Sequence, residues 1–119
     1  MDKDTLQLSE QAIRILDKKK AIDIVAFEVT ELTIIADCFI IASGTSSTHV
    51  RSLADDVEDA LSKEGIEPRG IEGKTSGWIL LDYGSVVIHI FTPDQREFYN
   101  LERLWQDAKH IDVAAIVGE

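Results

Sequence analysis

Residues 40–61, IIASGTSSTHVRSLADDVEDAL, read as an apolar strand, a turn at Gly44 and an amphipathic helix. The strand starts earlier, because residues 37–44 (DCFIIASG) are apolar at nearly every position. A strand of that kind belongs in the middle of a sheet, covered on both faces. In the helix, placed over residues 47–64, Val50, Leu53, Ala54, Val57 and Leu61 form one stripe, and Gly65 supplies the stop. Ser46 and Ser47 stand where N-cap residues stand.

Strand, glycine turn and helix is also the layout of many phosphate-binding loops. Such a cradle aims several backbone N–H groups at one point, usually with two or three glycines and often a lysine. Gly44 stands alone here, no lysine is near it, and GTSST is neither a Walker loop nor a dinucleotide fingerprint. A nucleotidyltransferase needs two metal-binding carboxylates, commonly alternating along a strand so that both face the nucleotide. Asp55, Asp56, Glu58 and Asp59 instead spread over the outer side of a helix, with Asp59 and Lys63 as an ordinary i,i+4 pair. Acid-rich helix faces are usually just solvated. A nucleotide-binding enzyme therefore stands as an alternative, not as the main reading.

Outward from this unit, residues 5–20 have helical spacing, with Leu8, Ala12, Ile15 and Leu16 on one face and three lysines at the C-terminal end. Residues 21–29 (AIDIVAFEV) read as a strand, with Ile22, Ile24 and Ala26 alternating against Asp23, Val25 and Phe27, and residues 30–36 as a connection or strand extension. Residues 65–77 are rich in turn formers. Residues 78–91 (WILLDYGSVVIHIF) carry the strongest local signal, a hairpin around Asp82, Tyr83, Gly84 and Ser85. A last helix opens at Thr92 as N-cap, with Pro93 at its first position, Gln95 completing a capping box, and Phe98, Leu101, Leu104, Trp105 and Ala108 on its buried side. The order predicts an α/β fold: a mixed sheet of about five strands with helices packed on it, one domain over residues 1–119. Residues 113–119 are a tail, either a short strand or an extension.

Composition narrows the function. The chain has 119 residues and 45% hydrophobic content, enough for a core. No apolar run reaches membrane-spanning length and the N-terminus lacks the pattern of a signal peptide, so the cytoplasm is expected. The net charge of −10 opposes direct contact with a phosphate backbone and would attract a basic protein partner, the plainer alternative being that it only keeps the chain soluble, as in most acidic domains. Cys38, the single cysteine, lies in an apolar strand and reads as inert core. His49, His89 and His110 share no metal-ligand spacing, and Ser43 lacks the pattern of a hydrolase elbow. No metal or cofactor is expected.

The hairpin has two unlike faces. With Asp82 opposite Ser85, Leu80 faces Val87 and Trp78 faces His89. Ile79, Leu81, Val86, Ile88 and Ile90 then share one uniformly aliphatic face, which is core. The other face carries Trp78, Leu80, Asp82, Val87, His89 and Phe91. That mixture of aromatic anchors and charge suits a protein interface. The plainer alternative covers Trp78 and Phe91 with the last helix and leaves Asp82 and His89 bonded at the edge.

Taken together, residues 37–61, the segment from Gly70 through the hairpin, and residues 96–105 (REFYNLERLW) resemble the ribosomal silencing factor family, also called Iojap-like, from about Leu6 to Asp112. The resemblance rests on a combination: Asp37-Cys38 leading into Ser43-Gly44-Thr45-Ser46, Trp78 with Asp82 and Gly84, His89, and Tyr99-x-Leu101-Glu102-x-Leu104-Trp105. It implies a nucleotidyltransferase-like fold without the catalytic carboxylates and a non-enzymatic role. It also implies binding to ribosomal protein fourteen of the large ribosomal subunit, on the face that meets the small subunit, so that subunit joining is blocked when nutrients are short. The resemblance maps the partner-binding region onto the Trp78–Asp82 strand, His89 and the start of the last helix. With the residues beside that face, the expected contact set is Glu72, Trp78, Leu80, Asp82, His89, Phe91, Arg96, Tyr99 and Glu102, with Trp78, Leu80 and Phe91 as anchors and the acids pairing with basic side chains of the partner. A homodimer joined through the hairpin face is the second alternative.

Overall fold

The chain runs α1 (Lys3–Lys18), β1 (Ile22–Glu28), β2 (Cys38–Ser43), α2 (Ser47–Lys63), β3 (Gly70–Glu72), β4 (Trp78–Asp82), β5 (Val86–Phe91), α3 (Pro93–Tyr99), α4 (Leu101–Leu104), β6 (Lys109–His110) and α5 (Val113–Val117). These are the elements of residues 1–118, which the computed structural model describes. They build one mixed sheet of order β3-β4-β5-β2-β1-β6, six strands where about five were expected. The difference lies in short edges: β3 has three residues, inside the turn-rich segment, and β6 has two. The strand β2 is central as its composition demands, parallel to β5, antiparallel to β1 and buried at all six positions.

Side chains alternate across the sheet, so two cores form. One face buries Ala26, Cys38, Ile40, Ile79, Leu81, Ile88 and Ile90 against α1 and α2. The stripe expected on α2 is the stripe observed, with Val50, Leu53, Ala54, Val57 and Leu61 all buried. Each Val or Leu of this stripe contributes roughly 1.5–3 kcal/mol when removed from water. Gly44 lets α2 start this close to the sheet: a Cβ there would lie 2.9 Å from the Val50 nitrogen. The second core is smaller and aromatic. Phe27, Phe39, Ile41, Val87 and Phe91 are its buried floor, with Trp78, Leu80, Leu101 and Trp105 half-buried over it.

Four local expectations are corrected. The last helix is two, broken at Asn100, which takes the left-handed conformation (φ 47°, ψ 52°). The break turns Phe98 and Leu104 out to solvent, 78% and 70% exposed, instead of inward. Thr92 is the N-cap of α3, but its side chain makes no capping bond, so no capping box forms. In β1 a register irregularity between Ile22 and Val25, with Asp23 at φ 49°, disturbs the alternation and leaves Ile22 exposed. After Asp112 the tail is the helix α5, whose Ile116 and Val117 pack on the first core and whose Ile116 carbonyl accepts from Arg14 Nε at 3.3 Å. Among the described residues no helix is long and apolar enough to cross a membrane.

Candidate functional site

The hairpin pairs Trp78 with Phe91, Leu80 with His89 and Asp82 with Val87. This register is shifted by two from the expected one, because the turn centres on Gly84 and Ser85. Tyr83 N–H donates to the Val86 carbonyl at 2.9 Å, Gly84 sits at φ 84°, and Asp82 Oδ1 accepts from Gly84 N–H at 2.8 Å. A shift of two leaves every side chain on its expected face.

Trp78 organises that face. Its indole stacks on Phe91 with ring centroids 5.0 Å apart and an interplanar angle of 25°. Tyr99, the last residue of α3, brings its ring to 4.6 Å from the indole. Trp78 Nε1 donates to His89 Nδ1 at 3.1 Å. In neutral His89 the proton therefore sits on Nε2, which has no partner among the described residues. Burial pushes the imidazole down to about 4, so it is uncharged at neutral pH. Phe39 meets the same ring edge-on at 5.3 Å.

Above this floor lies an open groove of about 350 Å³, lined by Glu72, Gly73, Trp78, Leu80, Gln95 and Tyr99. Gly73 makes the groove's rim possible, since its φ is 81° and a Cβ there would run into the Trp78 carbonyl. Glu72 and Leu80 also line a neighbouring depression that reaches Asp82. The surface is thus an apolar aromatic trough with two carboxylates beside it.

The expected site residues fall into three groups. Glu72, Trp78, Leu80 and Tyr99 meet in the groove, with Asp82 next to it. His89 and Phe91 lie under it, 5% and 0% exposed, so Phe91 is floor for the Trp78 ring and not an anchor offered to a partner. Neither open surface nor plain core describes the face; it is a second core with a half-open lid. Arg96 and Glu102 bind each other, Arg96 Nε donating to Glu102 Oε1 at 2.9 Å. Gln95 was not foreseen. Its signal was its spacing, four residues before Tyr99 on the same side of a helix.

The turn after β2 is differently occupied. Thr45 N–H donates to His49 Nδ1 at 2.8 Å, and His49 Nε2 donates to the Lys19 carbonyl at 3.1 Å. Ser46 Oγ accepts from His49 N–H. These contacts use the amides that a phosphate would need. On α2, Glu58 pairs with Lys74 and Asp59 with Lys63, so the acids do not converge. Cys38 is fully buried, and burial pushes its thiol up to about 12.

Residues 2–119 match the family described as "Ribosomal silencing factor during starvation". A Halalkalibacterium halodurans protein named ribosomal silencing factor RsfS is 36% identical over 113 residues, covering 94% of this chain and 97% of that one. A protein of the same name from Haemophilus influenzae is 43% identical over 101 residues, covering 84% and 99%. The crystal structure of a Chromobacterium violaceum protein superimposes with a TM-score of 0.84 at 34% identity, over 89% of this chain and 88% of that one.

Proposed function

The chain belongs to the ribosomal silencing factor family, whose members are ribosome-associated regulators of translation, and from that membership we propose that it binds the large ribosomal subunit through ribosomal protein fourteen and blocks joining of the small subunit. The action is steric: the bound chain fills the surface that the small subunit must contact, and no bond is made or broken. The chain works as a single domain of the cytoplasm and as a binding protein, not an enzyme. It touches little RNA.

The observation that carries this reading is the groove around Trp78. A half-exposed indole on a fully buried aromatic bed is pre-organised, so little side-chain freedom is lost on binding. Large rigid aromatics of this kind are the usual anchors of protein interfaces. Leu80 and Tyr99 extend the apolar contact, while Glu72 and Asp82 offer charge to Lys or Arg of the partner. The net charge of −10 speeds approach to a basic ribosomal protein and repels exposed RNA. Sedimentation tests the reading: the chain should co-migrate with free large subunits and, added to separated subunits, lower the yield of joined ribosomes. Joining at an undiminished yield with the chain bound would remove the steric mechanism.

A further inference from the structure

Arg96 and Glu102 stand three residues before and three residues after Tyr99, and between them the chain breaks at Asn100. Their ion pair closes across that break, Nε to Oε1 at 2.9 Å. The same guanidinium holds Ser43 Oγ at 2.9 Å and reaches the Ile22 carbonyl at 3.4 Å. It is thereby tied to the end of the central strand β2 and the start of β1. The Arg96 side chain is only 12% exposed. A guanidinium so enclosed, donating to three oxygens of its own chain, is committed internally.

Neither α3 nor α4 contains a buried residue. The apolar hold of this segment on the sheet is confined to half-buried Leu101 and to Trp105 at the end of α4, both on the far side of Asn100 from α3. Tyr99 nevertheless lies against Trp78 with centroids 4.6 Å apart and forms one wall of the groove. We infer that Arg96 and Glu102 are positioning residues: Arg96 ties the α3–α4 corner to the end of β2 through Ser43, its ion pair with Glu102 closes the corner across Asn100, and together they hold Tyr99 against Trp78, shaping the groove without touching the partner. This deepens the proposed function, on which its binding consequence rests, and reassigns two residues expected in the contact itself.

Glu102→Gln and Glu102→Ala separate the two roles. Gln keeps an oxygen for Arg96 Nε and loses the charge; Ala loses both. In a Trp105→Phe background Trp78 is the only tryptophan, so its emission and near-ultraviolet circular dichroism report the Tyr99 contact without any ribosome present. The clamp predicts that Glu102→Ala alters both signals and weakens large-subunit binding about tenfold, whereas Glu102→Gln leaves the spectra as they were and binding within about threefold. Equal loss of binding in both variants with unchanged spectra would mean that the Glu102 charge meets the partner, and would overturn the clamp. Unchanged Trp78 signals in Glu102→Ala would overturn it as well, whatever the binding. A Trp78→Ala chain that still binds fully would instead sink the proposed function, while the spectra would continue to decide the clamp.

Discussion

The indole N–H of Trp78 donates across the β4–β5 pair to Nδ1 of His89, 3.1 Å away, and His89 is 5% exposed beneath it. The bond joins the open surface of the groove to its buried floor. It needs a neutral imidazole, because a protonated ring has no acceptor left at Nδ1.

Acid should therefore loosen the protein through His89. Below its ordinary value of 6.5 the unfolded chain takes up a proton at His89 that the folded chain refuses until about 4. Stability contributed by the neutral buried ring is complete above that window and is lost as the pH falls through it, with a slope approaching ~1.4 kcal/mol per pH unit. Chemical denaturation between pH 7 and pH 4 should show His89→Phe with a shallower fall than the unaltered chain. At pH 7 the variant should cost about 1 kcal/mol for the lost bond. Parallel curves would remove His89 as the titrating group.

Trp78→Ala should cost about 2 kcal/mol or more in large-subunit binding, roughly a 30-fold loss. Trp78→Phe keeps a ring over Phe91 but loses the donor to His89, and should retain most of that affinity. Circular dichroism and thermal melts on both variants separate lost contact from lost fold. Equal affinity of Trp78→Ala and the unaltered chain would exclude Trp78 as an anchor.

Glu72 lies exposed beside the groove and has no ion-pair partner among the described residues. Glu72→Lys should slow association with large subunits several-fold at low salt, and the difference should shrink as ionic strength rises. Asp82 has a second duty, since its Oδ1 holds Gly84 N–H. Asp82→Asn, which keeps an oxygen for that bond, isolates the charge, and stopped-flow association rates read both variants. Rates independent of salt would contradict a basic partner.

Much of the fold was legible because burial on both sides leaves a plain mark. The apolar run of β2 and the stripe of α2 needed no tertiary information. The two hairpin faces were readable even with the register wrong, since a slip of two residues restores the alternation. The α3–α4 corner was not readable. Phe98 and Leu104 keep helical spacing, and nothing in that spacing announces that Asn100 turns left-handed. The strand β6, two residues long, is too short to show any period. In the site, Trp78, Leu80, Tyr99 and Glu72 meet in one groove with Asp82 beside it, a grouping that strand alternation makes readable for the hairpin residues. His89 and Phe91 were misplaced because a polar and an aromatic residue on one face look the same whether they line a surface or lie one layer below it.

Gly44→Ala tests the steric account of the turn after β2. The added methyl would meet the Val50 nitrogen at 2.9 Å and its Cγ2 at 3.0 Å, and should destabilise the chain by about 1–3 kcal/mol in urea titration. The same experiment checks the core thiol, because Cys38 should react with a thiol reagent only in the denaturant range where the chain unfolds.

Photocrosslinking from the groove tests the central claim most directly. Gln95 lines the groove beside Tyr99, and a benzoylphenylalanine in its place puts a reactive carbonyl there. Irradiated with purified large subunits, the chain should become joined to ribosomal protein fourteen, and Glu72→Lys should reduce the yield. Crosslinks to ribosomal RNA, to another ribosomal protein or to a second copy of the chain, with ribosomal protein fourteen left unmodified, would contradict the account.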